Sequence, residues 1–139
     1  MVSESLLIVL LTGIWLGFVG AISFMESWLK FKAPGINRSL GVGIGRLVFK
    51  ALNRVEWSCF LLITVLCFVC IDCVEVESVI VMAGLLIVLI VQTCWMLPAM
   101  DRRAALLLSN IPLKPSRHHI VYVLLELLKV SLLITLFCS

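Results

Sequence analysis

The sequence predicts an all-α fold: a four-transmembrane-helix bundle, one integral membrane domain over residues 1–139, with the N- and C-termini on the outer side. Composition, the spacing of charges and the side on which those charges fall predict it. Of the 139 residues, 63% are hydrophobic and 14% charged, against about a quarter charged in ordinary soluble domains. A chain this short buries a small fraction of its surface when it folds in water, so that much apolar surface calls for lipid. No Lys, Arg, Asp or Glu interrupts residues 5–25, 57–71 or 78–100, runs of 21, 15 and 23 residues. A spanning helix takes about 20 mostly apolar residues; the second run reaches that length once residues 52–56 are added. The fourth stretch, 118–138, is long enough but holds Glu126 and Lys129. The predicted helices are therefore 5–28, 46–71, 78–100 and 118–138.

The charges separate by side. Lys30, Lys32, Arg38, Arg46, Lys50 and Arg54 lie in or beside the first connection, and Arg102, Arg103, Lys114 and Arg117 in the third. The second connection, DCVEVE, holds only Asp72, Glu75 and Glu77. By the positive-inside rule, loops 29–47 and 101–117 are expected in the cytoplasm and both termini outside. Topology alone then accounts for the basic loops, so no nucleic-acid partner is expected. It also places the sequon at Asn37 where glycosylation does not occur. The flank MVSES lacks the positive charge of a signal peptide, so the first run reads as a spanning helix.

The first helix carries Gly13, Gly17 and Ala21 at a spacing of four, small residues suited to close packing within the bundle or between copies. Glu26 and Trp28 end it near the inner interface. The connection turns at Pro34-Gly35 and continues through Gly41, Gly43 and Gly45. No strand precedes these glycines and their spacing is not G-x-G-x-x-G, so they read as a flexible lead into the second helix, not a nucleotide loop. The second helix opens with Arg46, Lys50, Asn53, Glu56 and Trp57 before turning apolar; snorkelling explains its cations but not Asn53 and Glu56. The third has Gln92 as its one strongly polar side chain, and Pro98 is expected to bend or end it, with DRRAALLLSN as an interfacial helix. Ser116 is the expected N-cap of the fourth.

That fourth helix places His119, Tyr122, Glu126 and Lys129 at intervals of 3, 4 and 3, one stripe on one face. A carboxylate facing lipid there costs several kcal/mol, so the stripe is expected to face the bundle interior, with Glu126 paired to Lys129 and Tyr122 donating to the carboxylate. Glu26, Asn53, Glu56, Gln92, His119, Tyr122, Glu126 and Lys129 then form the candidate ligand- or ion-binding set, the first seven toward the basic side. They read either as a mutually satisfied lock on helix register or as a polar cleft, open to the cytoplasm, that binds or relays something. No catalytic set and no metal site is expected. Cys67, Cys70 and Cys73 read as small apolar residues with one outer disulfide, although CFVC resembles the redox pair of four-helix quinone-linked thiol oxidoreductases.

Two further resemblances cover more of the chain. The segments GIWLGFVGAISF, GVGIGRLVFKALNRVEW and CWMLPAMDRRAA, with a histidine opening the fourth helix, resemble the small four-helix membrane proteins related to transmembrane protein 205 and their bacterial counterparts. That family implies a polytopic membrane protein linked to export or tolerance of toxic compounds, expected here in a bacterial inner membrane. FKALNRVE resembles the glutathione-binding R-x-x-x-N-x-x-E motif of the microsomal glutathione transferases: Asn53 and Glu56 match, Phe49 stands in place of the arginine, and the family's G-R-x-x-Y pattern is absent. The leading expectation is non-enzymatic, a membrane protein binding or translocating a small solute or ion, with the lipid bilayer as its setting and a homo-oligomer as its assembly. The alternatives are a microsomal-type glutathione-dependent transferase and an accessory subunit of a larger membrane complex.

Overall fold

The computed structural model describes residues 2–70, 74–109, 111 and 117–138, with the side chains of all but 2–4, 38, 118 and 119. Among them are four helices long and apolar enough to cross a membrane: α1 (Ser5–Lys32), α2 (Ser39–Val69), α3 (Val76–Leu108) and α4 (Ile120–Cys138). The described residues contain no strand. Ser116 and Cys73 lie outside them.

Two expectations about the connections are corrected. The glycine-rich stretch is not a flexible lead but the first turns of the second helix, whose backbone is helical from Arg38. Asn37 caps it: its side-chain oxygen accepts from the Leu40 N–H at 2.8 Å, supplying a partner to a donor that the helix start leaves free. Gly41 and Gly45, one turn apart, let the end of α1 cross closely. A Cβ at Gly41 would run into the Phe31 ring, and one at Gly45 into Lys30 Nζ. Pro98, expected to bend or end the third helix, does not end it: the helix runs on to Leu108 through the stretch expected as an interfacial helix. Its ring excludes the bond to the carbonyl four residues back. The chain meets this with a wide turn over Gln92–Met96, where the Leu97 N–H reaches the Gln92 carbonyl five residues back. A second π-helical stretch, Gly20–Glu26, lies in α1.

Helices adjacent in sequence pack side by side, and α4 returns beside α1. Each buried line follows steps of three and four: Thr12, Trp15, Val19 and Ser23 on α1, and Tyr122, Glu126, Lys129, Leu133 and Leu136 on α4. That is the knobs-into-holes repeat of antiparallel bundles. The small-residue stripe of α1 lies largely off this line. Only Gly13 meets a neighbour, with its Cβ position 3.3 Å from Phe137, whereas Gly17 has nothing within 4 Å.

The interior has three layers. One apolar cluster is built on Trp15, Val19, Phe60, Ile63, Leu85, Leu89, Leu133 and Leu136. A second gathers Phe49, Leu52, Met96 and Tyr122 nearer the basic end. Between them lie Glu56, Gln92, Glu126 and Lys129. Outside, the bundle is as apolar as within: Phe68 is 74% exposed and Val76 76%. Such continuous apolar surface is foreign to soluble monomers. α2 and α3, at 31 and 33 residues, run roughly 47–50 Å, beyond a hydrocarbon core of about 30 Å. The excess length carries the charges. Asp101 of α3 is held there by Arg46, and by Lys50 at 3.0 Å, both from α2.

Leu85→Ala, at a fully buried position, is expected to lower stability in detergent by about 2–5 kcal/mol in a denaturant titration. Ile87→Ala, at a position 62% exposed on the same helix, is expected to change it little.

Candidate functional site

Lys129 is fully buried, and its ammonium lies between two carboxylates. Nζ is 2.5 Å from Glu56 Oε1 and 2.9 Å from Glu126 Oε1. The Glu126 contact is the expected one-turn pair on α4; the Glu56 contact ties α4 to α2. The other two helices contribute neutral donors. Gln92 of α3 donates from Nε2 to Glu126 Oε1 at 2.6 Å, and Ser23 of α1 donates to Glu126 Oε2 at 3.1 Å. Trp15 of α1 donates from Nε1 to Glu56 Oε1 at 3.3 Å. The Tyr122 hydroxyl is buried beside Ser23 and Glu126. All four helices therefore meet on three ionisable side chains.

The local backbone explains how Ser23 and Gln92 arrive there. Ser23 lies within the π-helical stretch of α1, and Gln92 opens the one in α3. Wide turns of this kind shift helical register and are frequent at functional sites; here both serve Glu126. Thr12, also buried on α1, bonds its own helix at the Ile8 carbonyl, 2.7 Å away.

In depth, Lys129 is 11 residues from His118 and 9 from Cys138, about 16 Å and 14 Å along the helix. Glu56 lies six residues beyond Lys50 and Gln92 nine before Asp101, about 9 Å and 14 Å from that charged belt. Between belt and triad stands the second apolar cluster, in which the Phe49 and Tyr122 rings pack with centroids 4.9 Å apart. In this conformation the triad of Glu56, Lys129 and Glu126 is occluded, each residue at most 2% exposed.

Of the eight residues expected at the site, five converge: Glu56, Gln92, Tyr122, Glu126 and Lys129. Tyr122 is part of the apolar layer over the triad. Asn53 joins a separate knot, in which Thr93 Oγ1 accepts from Trp57 Nε1 at 2.9 Å and lies 3.0 Å from Asn53 Oδ1. Asn53 and Glu56 thus engage different partners. Glu26 pairs with Lys30 at 3.3 Å toward the basic end. The His119 side chain lies outside the described residues. Trp15 and Ser23 were not anticipated, although Thr12, Trp15, Val19 and Ser23 show the same three-four spacing that singled out the α4 stripe.

The cysteines stand apart from this site. Cys70 is disulfide-bonded, and Cys59, Cys67, Cys94 and Cys138 are free thiols, so Cys67 and Cys70 are not joined as a redox pair. Among the described residues no group of three His, Cys, Asp or Glu is placed to hold a metal ion. The chain matches no protein-family model, no curated protein and no solved structure at a significant level.

Lys129→Met leaves two carboxylates buried without their shared cation. It is expected to cost about 3–5 kcal/mol in a denaturant titration in detergent. Ser23→Ala, which removes one interhelical hydrogen bond, is expected to cost about 0.6 kcal/mol.

Proposed function

We propose that the chain is a small polytopic membrane protein that binds and translocates a small ion, or a solute coupled to one, through the interior of its bundle by way of the Glu56–Lys129–Glu126 triad. One observation carries the reading: two carboxylates share a single ammonium, all three buried near the middle of the helices. A knot that only held helices together would do so at least cost with balanced charges or neutral groups. Ionisable side chains at membrane depth mark ion and proton pathways by default.

The apolar clusters on either side suit an occluded intermediate. Access from the basic side requires the Phe49–Tyr122 packing to part, and access from the other side requires a path past Trp15, Phe60 and Leu133. The π-helical turns at Ser23 and Gln92 are places where a small register change in α1 or α3 would loosen the donors around Glu126. The positive-inside rule sets the orientation, with the Arg46–Lys50–Asp101 belt on the cytoplasmic face and both termini outside. The resemblance to the transmembrane protein 205-related family, with its link to export, agrees with a transport role.

Purified protein in liposomes loaded with a pH-sensitive dye tests the reading. Under an imposed potassium diffusion potential, wild type is expected to move protons faster than protein-free vesicles do. Glu56→Gln and Glu126→Gln are expected to fall to the protein-free rate, and Asn53→Ala to keep the wild-type rate. Wild-type vesicles no more permeable than empty ones to protons, sodium or potassium would refute translocation.

A further inference from the structure

The two carboxyls of the triad are not equivalent, and the hydrogen bonds separate them. Glu126 has donors on both oxygens: Lys129 and Gln92 on Oε1 and Ser23 on Oε2. A proton on Oε1 would displace one of its two donors, and one on Oε2 would weaken that oxygen's acceptance from Ser23. Glu56 has two donors, Lys129 and Trp15, and both reach the same oxygen, Oε1. A neutral acid keeps one oxygen as a carbonyl that still accepts, so Glu56 can take a proton on Oε2 and keep both of its bonds at Oε1.

Charge points the same way. With both carboxylates ionised the triad carries one uncompensated negative charge in a low-dielectric interior, which is costly unless neutralised. The groups facing Glu56 supply no second cation. From α1 comes Trp15, from α2 the buried Cys59 thiol one turn on, and from α4 Tyr122, Glu126 and Lys129, while Ser23 of α1 and Gln92 of α3 meet Glu126. Of the other charged groups, Glu26 with Lys30 and Arg46 and Lys50 with Asp101 pair on the basic side of the Phe49–Tyr122 layer, Arg54, two residues from Glu56, is exposed, and Glu75 and Glu77 lie at the opposite end of the bundle. Gln92 Oε1 is buried with no donor, so the site holds an unmet acceptor as well as an unmet charge.

We propose that Glu56, and not Glu126, is the proton-carrying group. The occluded protein holds a neutral Glu56 beside a fixed Lys129–Glu126 ion pair, and the transported ion is a proton. The step is a simple transfer: Glu56 carboxylate takes one proton from water on the side to which the site opens, and returns it to water on the other. This rests on the ion-handling reading of the triad and names both the ion and the atom that holds it.

Infrared difference spectroscopy of proteoliposomes across a pH series tests it. Wild type is expected to show one protonated-carboxyl carbonyl band near neutral pH, absent in Glu56→Gln. Trp15→Phe, which removes a donor to Glu56, is expected to shift the band, and Ser23→Ala, which removes one to Glu126, to leave it in place. Should Trp15→Phe not fold, Glu56→Asp and Glu126→Asp repeat the comparison, and only the former is expected to move the band. A band that follows Ser23→Ala or Glu126→Asp would transfer the proton to Glu126 and overturn the assignment. No band at any pH, with stabilisation by sodium or potassium instead, would overturn it in favour of a metal cation. A band without proton flux would uphold the assignment and remove translocation; proton flux without a band would overturn the assignment alone.

Discussion

A lysine ammonium with no solvent exposure, inside a bundle whose outer face is hydrocarbon, has to be met by anions from its own chain. Lys129 takes one from its own helix and one from α2, at 2.9 Å and 2.5 Å. Because lipid tails are as apolar as leucine, no hydrophobic force drives these helices together, and their register is set by packing and by interhelical polar links. The individual links to Trp15, Ser23 and Gln92 are each worth about 0.6 kcal/mol. The cost of leaving a buried charge unpaired is several times larger. The ion triad therefore fixes the relative height of α2 and α4, and the neutral donors bring α1 and α3 to the same level.

The rest of the architecture follows from where that level falls. On one side, Trp15, Phe60, Ile63, Leu85 and Leu133 close the bundle with large side chains in a three-four repeat. On the other, Phe49, Leu52, Met96 and Tyr122 separate the triad from the charged belt. α2 and α3 exceed the hydrocarbon thickness, so the belt sits where water and headgroups can solvate it. Lys32 beside the Trp28 ring, 4.3 Å from its centroid, belongs to that interfacial zone. An ionisable centre enclosed in this way exchanges with water only when one apolar layer opens.

Much of this was legible in the sequence because the membrane imposes simple rules. Two charge-free runs of spanning length, a shorter one extended by residues 52–56, and a fourth stretch interrupted by Glu126 and Lys129 located the four helices, and the spacing of Tyr122, Glu126 and Lys129 placed them on one interior face. Glu56 was conspicuous because snorkelling could not explain it. What was not legible depended on contacts between distant segments. Gly41 and Gly45 look like a loop until Phe31 and Lys30 are seen crossing them. Pro98 looks like a terminator until the wide turn before it accommodates the ring. Trp15 and Ser23 look like an apolar ring and a small residue of a spanning helix until Glu56 and Glu126 approach from 41 and 103 residues away. Asn53 shares a helix face with Glu56 in sequence, yet Thr93 draws it to a different neighbour.

The central claim, that the folded triad holds one proton which the unfolded chain releases, is tested most directly by the pH dependence of stability in wild type and Glu56→Gln. In the unfolded chain a glutamate loses its proton near pH 4.3. If the folded protein keeps it on Glu56, raising the pH from there costs stability at the one-proton rate, about 1.4 kcal/mol per pH unit, until the folded group itself ionises. The difference between wild type and Glu56→Gln isolates that slope from every other titrating group. A wild-type stability falling relative to Glu56→Gln by one proton's worth per unit is the expected result. Parallel curves through neutral pH would contradict it.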